Sequence, residues 1–415
     1  MSEDPPARPT WRPLGGVFAV YFAFGVVVTS IAPMLPLVRA ELGASRAAMG
    51  FVLGAWAMIF IVTAPVAGRV IDRYGLRLAL AVGGISVAAS ALARAGAESV
   101  TSLWFAVAIF GVGGPLISAG APVFVRQSFA DPVARSRAVS VYVVAPALGS
   151  VVTLATTNSV LLPWLGSWRA VLVAEAALAL VATGAWWVLS ASVSGPAPHR
   201  AAATTTRGAA QEPGGDGWRQ LAHLVRSSPA LALALGLAFP IFFLNHALNT
   251  WSPTLLATLA DIGVGQAANW VALAGLLGIG AALTVPSLGS GSARRLVLAG
   301  VSLVLGMACL ALALGPPGLG PAAMLVVGVR AAMVPLAALL LMDAPGVDNR
   351  NAGVINGLWF SVGEVGGVSG PFVAGIVADS AFGFGGVAAL LGAMATVTAA
   401  LLVAVSRRQR PGERT

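Results

Sequence analysis

The sequence predicts an all-α polytopic membrane protein with twelve transmembrane helices in two pseudo-symmetric six-helix halves. Of its 415 residues, 58% are hydrophobic and only 9% are charged, whereas a soluble domain carries about 25% charged residues. A membrane-spanning helix needs about 20 apolar residues, and the chain contains twelve such runs. A polar segment in the middle and a weak internal repeat divide these runs into two sets of six.

The twelve predicted spans are listed in chain order. They are 14–37, 47–68, 78–97, 102–126, 137–161, 169–192, 229–257, 265–288, 295–314, 320–342, 351–377 and 384–406. The segment 193–228 is too polar to span and predicts a cytoplasmic linker between an N-terminal bundle (14–192) and a C-terminal bundle (229–406). Residues 1–13 and 407–415 are predicted to be cytoplasmic tails.

The internal repeat supports the division into halves. Pro33 and Gly43 at the end of the first span recur 220 residues later as Pro253 and Gly263. Matching motifs in two six-span sets are typical of proteins built from two halves related by pseudo-symmetry.

The arginines predict the orientation of the chain. With both termini inside, 19 of the 24 arginines lie in cytoplasmic segments and Arg330 lies within a span. The other four are assigned to external segments: Arg39, Arg46, Arg94 and Arg169. An excess of basic residues marks the cytoplasmic side, so both termini are expected in the cytoplasm and the protein in the cell inner (plasma) membrane.

The absence of lysine excludes several kinds of chemistry. The sequence contains none, so it has neither the lysine of an ATP-binding Walker loop nor a Schiff-base lysine. We therefore expect no cofactor and no enzymatic activity. The net charge of +9 does not indicate a nucleic-acid partner, because the arginines lie in the loops of a protein whose partner is the lipid bilayer.

The loop Gly68–Arg77 reads Gly-Arg-Val-Ile-Asp-Arg-Tyr-Gly-Leu-Arg and joins spans 2 and 3. This pattern resembles the signature loop of the major facilitator superfamily of transporters (MFS), although an ordinary basic connector is the alternative. The resemblance implies a monomeric secondary transporter that moves a small-molecule substrate by alternating access. The loop residues implied in gating are Gly68, Asp72, Arg73, Gly75 and Arg77.

Asp72 ends span 2 on the side where span 11 begins near Asn351. A carboxylate beside a helix N-terminus is stabilised by the helix dipole. The family resemblance implies a contact there, together with Arg126 at the end of span 4, that latches the cytoplasmic side in the outward-facing state. The alternative is that Asp72 only balances the neighbouring arginines.

Two charged residues fall near the middle of predicted spans. Arg330 lies in span 10 and Glu364 in span 11, and a charge at this depth normally faces a partner or a cavity. The two could pair with each other, or Arg330 could hold an anionic substrate, because its planar fork suits a carboxylate or a nitrate-like ion. Glu175 lies about two turns into span 6 and is expected to reach water.

Polar and aromatic residues add further candidates. His246 and Asn249 in span 7 share a helix face, and with Asn245 they predict either substrate binding or proton coupling, because histidine titrates near physiological pH. The alternative is a hydrogen-bonded packing histidine. The aromatic residues that could line a cavity, or simply pack, are Tyr21, Trp56, Tyr142 and Trp359.

Glycines in spans 5 and 11 predict close helix packing. In span 11, Gly363/Gly367 and Gly366/Gly370 have the spacing of small residues at helix contacts. Span 5 matches the antiporter Gly-Pro motif of the family weakly, since Ala145 replaces its first glycine. Val107 stands where the family's antiporters carry a basic residue in span 4, which disfavours export of drugs against protons.

Short motifs narrow the resemblance to one branch of the superfamily. Asp72–Gly75, Pro122–Arg126 and Ser167–Arg169 resemble the cyanate/nitroimidazole branch. This implies a small organic or inorganic anion as substrate, imported or exchanged by symport or antiport, with protons as candidate coupling ion through His246 or Glu364.

Two rival functions remain. A drug or metabolite exporter of the same superfamily would need an acidic cavity. The acid that the sequence places in mid-membrane is Glu364, and its nearness to an arginine counts against this function. A non-transporting receptor would want an appended soluble domain, whereas the longest soluble segment is 193–228.

Overall fold

The computed structural model describes residues 11–191, 193, 223–348 and 351–408. Within these residues it contains twelve helices that are long and apolar enough to cross a membrane. They are α1 (Trp11–Glu41), α2 (Arg46–Tyr74), α3 (Leu76–Ala95), α4 (Val100–Ser128), α5 (Pro132–Leu165), α6 (Trp168–Leu189), α7 (Pro229–Ala260), α8 (Val264–Leu288), α9 (Ala293–Leu314), α10 (Pro317–Met342), α11 (Val354–Asp379) and α12 (Gly383–Val405).

The predicted number and order of spans are confirmed, but the helices reach beyond the apolar runs. α1 begins at Trp11, inside the predicted tail, and α2 ends at Tyr74 rather than at 68. An apolar run reports the hydrocarbon-embedded part of a helix, while the hydrogen-bonded backbone continues to its cap. The predicted tail segments 1–10 and 409–415, and most of the linker 193–228, lie outside the described residues.

Glycines let helices approach backbone to backbone, as the sequence predicted for α5 and α11. A Cβ on Gly149 of α5 would lie 2.1 Å from the carbonyl oxygen of Phe22 in α1. A Cβ on Gly366 of α11 would lie 2.2 Å from the carbonyl oxygen of Phe239 in α7. No side chain fits at such distances, so these glycines set the spacing of equivalent helix pairs in the two halves.

The halves are joined at the end of the bundle opposite to residues 68–77, which we call the far end. There, a Cβ on Gly50 of α2 would lie 2.2 Å from the carbonyl oxygen of Pro371 in α11. Arg46 forms an ion pair with Asp379 at 3.5 Å, and the Asp379 Oδ2 accepts a bond of 2.8 Å from the backbone N–H of Ala47. These contacts close the far end.

The opposite end, which carries residues 68–77, is called the loop end. Along α2 near this end, Val62 is 70% exposed and Val66 is 48% exposed. Asp72 and Arg126 are also exposed, and these two side chains form no ion pair with each other. The predicted latch is therefore not formed in this conformation, and it stays a prediction for a state closed at the loop end.

Candidate functional site

A cavity of about 510 Å³ lies between the two halves at mid-depth of the bundle. Its walls come from α1, α5, α7, α8 and α10. Most of the lining side chains are aliphatic, and Arg330 supplies the charged group. Sites for small molecules typically have this volume and this mixture of apolar wall and few polar groups.

Arg330 lies in the 3₁₀-helical segment Gly328–Ala332 in the middle of α10. Its Nη1 donates to the Asn245 Oδ1 at 2.8 Å and its Nη2 donates to the Asn249 Oδ1 at 2.8 Å. Asn245 is oriented by its own Nδ2, which donates to the carbonyl of Ile241 at 2.9 Å. Three of the predicted polar candidates, Asn245, Asn249 and Arg330, thus meet beside the cavity.

The charge of Arg330 has neutral partners. A guanidinium carries five N–H donors, and the two amide oxygens use two of them. Among the described residues no carboxylate lies within ion-pair distance of Arg330. The remaining donors and the full positive charge are available to a ligand in the cavity.

Glu364 does not pair with Arg330, so that predicted alternative is wrong for this conformation. The Glu364 Oε2 instead lies 4.0 Å from the Nδ1 of His246, is buried, and has no hydrogen-bond partner among the described residues. Similar depth along two helices does not place two side chains on facing sides, which is why the pairing could not be deduced from position alone.

His246 links the two halves. Its ring stacks on Trp56 of α2 with centroids 5.1 Å apart and an interplanar angle of 26°. A Cβ on Gly367 would lie 2.6 Å from the His246 Nδ1 and 2.7 Å from the Glu364 Oε2. The glycine therefore keeps open the space in which the imidazole and the carboxylate approach each other.

A second, smaller cavity of about 70 Å³ adjoins the first. His246 and Asn249 both line it, as expected for two residues on one helix face, and Trp56 and Arg94 complete its polar and aromatic wall. It shares Thr29, Ser150 and Asn249 with the larger cavity. It has room for a few water molecules or one small polar group.

Arg94 was predicted to lie in an external segment, and this is wrong. It is 1% exposed, and its Nη1 donates to the Val27 carbonyl at 2.7 Å and to the Ser30 Oγ at 3.0 Å. The signal that could have identified it is its position inside the predicted span 78–97, since a charge within an apolar run normally faces protein.

Glu175 does not reach water, contrary to the expectation. Its side chain is 3% exposed, and neither carboxylate oxygen has a hydrogen-bond partner among the described residues. It interacts electrostatically with Arg94 across the interior of the N-terminal half. The N-terminal half therefore buries an arginine and an acid that the sequence had placed at the outside or in contact with water.

Two predicted aromatic ligands lie away from both cavities. Trp359 is 1% exposed and packs edge-on against Phe242 with centroids 5.2 Å apart. Tyr21 stacks on Tyr142 at 6.1 Å. These rings pack between helices, so direct contact of Tyr21 or Trp359 with a ligand in either cavity is not supported.

The loop residues connect helices rather than line the cavities. Gly75 has φ +85° and ends α2, a conformation that favours glycine. The Nη2 of Arg77 donates to the Trp187 carbonyl at 2.9 Å, and its guanidinium lies 4.1 Å above the Trp187 ring centroid. Arg77 thus fixes the start of α3 to α6, while Gly68, Asp72 and Arg73 are exposed and Ile71 is buried.

Comparisons with known proteins agree with this architecture. The model of the family described as Major Facilitator Superfamily matches residues 17–362. The solved structure of the nucleoside transporter NupG superposes with a TM-score of 0.73 at 14% identity, covering 96% of this chain and 99% of that chain. A bacterial homologue of the human lysosomal transporter Spinster, in an inward-facing and occupied conformation, superposes with a TM-score of 0.69 at 16% identity, covering 98% and 96% of the two chains.

One curated relative also matches over a short stretch. Multidrug resistance protein 1 of Bacillus subtilis (strain 168) is 24% identical over 114 residues. The matched stretch makes up 28% of this chain and 28% of that relative.

Proposed function

The chain belongs to the Major Facilitator Superfamily, and on that premise we propose that it transports a small anion held by Arg330. As a member of this superfamily it is a multi-pass membrane transporter of small molecules and not an enzyme. The observation that supports an anionic substrate is the pair of groups to which Arg330 donates hydrogen bonds. Both are neutral amide oxygens, so a bound anion would supply the missing charge and accept two parallel hydrogen bonds.

The conformation fits one end-state of alternating access. The arginine distribution predicts that the loop end faces the cytoplasm, with both termini on that side of the plasma membrane. With the far end closed by the contacts of α2 with α11, the structure then represents an inward-facing state. In the outward-facing state Asp72 and Arg126 would come together with the start of α11, with Arg73 beside them, and latch the cytoplasmic side.

Proton coupling is assigned to His246 and Glu364. The carboxylate oxygen and the imidazole nitrogen lie 4.0 Å apart, and the histidine also lines the small cavity and touches the other half through Trp56. A proton taken up here would change the charge next to the substrate cavity and at a contact between the halves. Coupling of substrate and proton movement requires both of these connections.

The test is uptake of labelled anions into proteoliposomes, with and without an inward pH gradient. We expect wild type to accumulate an anion, Arg330→Ala to lose at least about 90% of that uptake because the ionic anchor is worth roughly 1.5–3 kcal/mol, and Arg330→Lys to retain part of it. The matched control is Arg137→Ala, because Arg137 is an exposed arginine outside the cavities.

A second candidate is export of a drug-like cation. It is favoured by the short likeness to Multidrug resistance protein 1 and by the aliphatic cavity wall. The positive charge of Arg330 opposes it. If the proteoliposomes move a lipophilic cation and no anion, and Arg330→Ala behaves as wild type, the export function replaces the anion proposal.

A further inference from the structure

The large cavity combines a charged group with an aliphatic lining. Its polar groups come from Arg330, Asn249, Thr29, Ser150 and Ser252. The aliphatic lining comes mainly from α5, α8 and α10 and includes Val144, Leu154, Val271 and Ile279.

Two of the three hydroxyl groups that line the cavity are engaged within the protein, whereas the buried Ser252 Oγ has no hydrogen-bond partner among the described residues. The Thr29 Oγ1 donates to the Ser150 Oγ at 2.8 Å, and the Ser150 Oγ lies 3.1 Å from the carbonyl oxygens of Gly25 and Pro146. Because Arg330 is the charged residue of the lining and the other polar groups are neutral, Arg330 is the strongest polar attraction that the large cavity offers to a ligand. The α5 and α8 walls have no charged residue among those that line the cavity.

An inorganic ion would use this cavity poorly. Binding removes part of the hydration shell of the ion, and Arg330 replaces that shell on one side only. The ion leaves most of the 510 Å³ cavity filled with water that lies against an aliphatic wall. An ion with an apolar body would displace that water and bury apolar surface, which is favourable. A second negative charge on the body would be placed against the aliphatic wall with no partner.

We propose that the substrate is a monocarboxylate, or a similar monoanion, with an aliphatic or aromatic body. Its acidic group lies on the free N–H groups of Arg330, and its body lies between α5, α8 and α10. This inference rests on the proposed function and narrows it, because it excludes small inorganic ions and dicarboxylates as good substrates.

The test measures binding to purified protein in nanodiscs, with empty nanodiscs as blank. The probes are acetate, butyrate, hexanoate and benzoate, the dicarboxylate adipate, and the inorganic ions nitrate and cyanate. We expect affinity to rise by about fourfold for each added methylene until the cavity is filled. Hexanoate and benzoate should bind at least tenfold more tightly than adipate, nitrate or cyanate.

Variants locate the apolar body. Ala147→Leu in α5 and Ala282→Leu in α8 narrow the cavity from two of its helices, and should weaken hexanoate and benzoate at least fivefold while leaving acetate unchanged. Ala177→Leu is the matched control, because Ala177 is exposed on α6; it should leave the whole series unchanged.

Three results would overturn the inference, and they separate it from the proposed function. If all monoanions bind equally and Arg330→Ala abolishes that binding, the substrate has no apolar body, and the proposal of anion transport stands. If adipate binds most tightly, the substrate is not a monoanion. If Arg330→Ala binds the probes as tightly as wild type does, Arg330 is not the anion anchor, and both proposals are wrong.

Discussion

The two halves each bury one arginine beside a cavity, and they use it differently. Arg94 in the N-terminal half is 1% exposed and donates to α1 at Val27 and Ser30, with Glu175 as electrostatic partner. Arg330 in the C-terminal half is partly exposed to a large cavity and donates to two amide oxygens of its own half.

The difference shows how the surroundings decide the role of a buried charge. A buried arginine that donates to the backbone carbonyl and hydroxyl oxygens of a neighbouring helix holds helices together. An arginine with neutral partners and an open cavity retains a charge for a ligand. We therefore expect Arg94 to govern stability and Arg330 to govern transport.

The largest effect should come from exchanging each arginine for glutamine. Arg94→Gln removes the two hydrogen bonds of a buried guanidinium to α1 and should lower stability by about 3 kcal/mol, seen as a lower Tm in detergent. Arg330→Gln should keep Tm within a few degrees of wild type and abolish anion uptake. If Arg94→Gln folds normally and Arg330→Gln unfolds, the assignment of roles is reversed.

A smaller effect tests the partner of Arg94. Adding Glu175→Gln to Arg94→Gln removes the orphaned carboxylate and should restore about 1–2 kcal/mol of the lost stability, the size of coupling found between interacting residues. A Tm for the double variant no higher than that of Arg94→Gln would show that Arg94 and Glu175 act independently.

In the other half, Glu364→Gln should retain stability and make uptake insensitive to the pH gradient, because glutamine cannot take up the proton that we assign to Glu364 and His246.

The smallest effect concerns the contact between the two regions, Trp56 on His246. Trp56→Leu removes a ring stack worth about 1 kcal/mol, which should shift the population about fivefold away from the conformation described above, in which the far end is closed. A cysteine placed at the exposed Gly68, in a Cys309→Ser background, reports this as slower alkylation at the loop end. Trp164→Leu is the control, since Trp164 is 80% exposed. Unchanged labelling would show that the stack does not bias the equilibrium.

Hydropathy predicted the helices well because the bilayer imposes the same length on every span. It also indicated that Arg330 faces a cavity, because a charge in the middle of a span normally faces a cavity or a partner. The external assignment of Arg94 conflicts with its position inside the predicted span 78–97, which indicates a side chain that faces protein; what hydropathy cannot give is the set of groups that this side chain meets. Arg94 bonds to Ser30 and interacts electrostatically with Glu175, which are 64 and 81 residues away in the chain, and only tertiary packing brings these groups together.

The sequence also could not predict which neighbouring helix each polar side chain faces. The pairing of Arg330 with Glu364 was plausible by depth, but the five residues Gly328–Ala332 are wound as a 3₁₀-helix, and Arg330 reaches α7 instead. Local backbone geometry of this kind has no reliable signal in an apolar run.

This tight winding couples the length of α10 to the direction of the Arg330 side chain. A 3₁₀-helix rises about 2.0 Å per residue with 3.0 residues per turn, against about 1.5 Å and 3.6 in an α-helix. Rewinding the five residues to α geometry would shorten α10 by about 2.5 Å and swing one of its ends by roughly 100° relative to the other. Release of the ligand and movement of the helix ends would then be a single screw motion, which spin labels at the two ends of α10 would record as one change in distance.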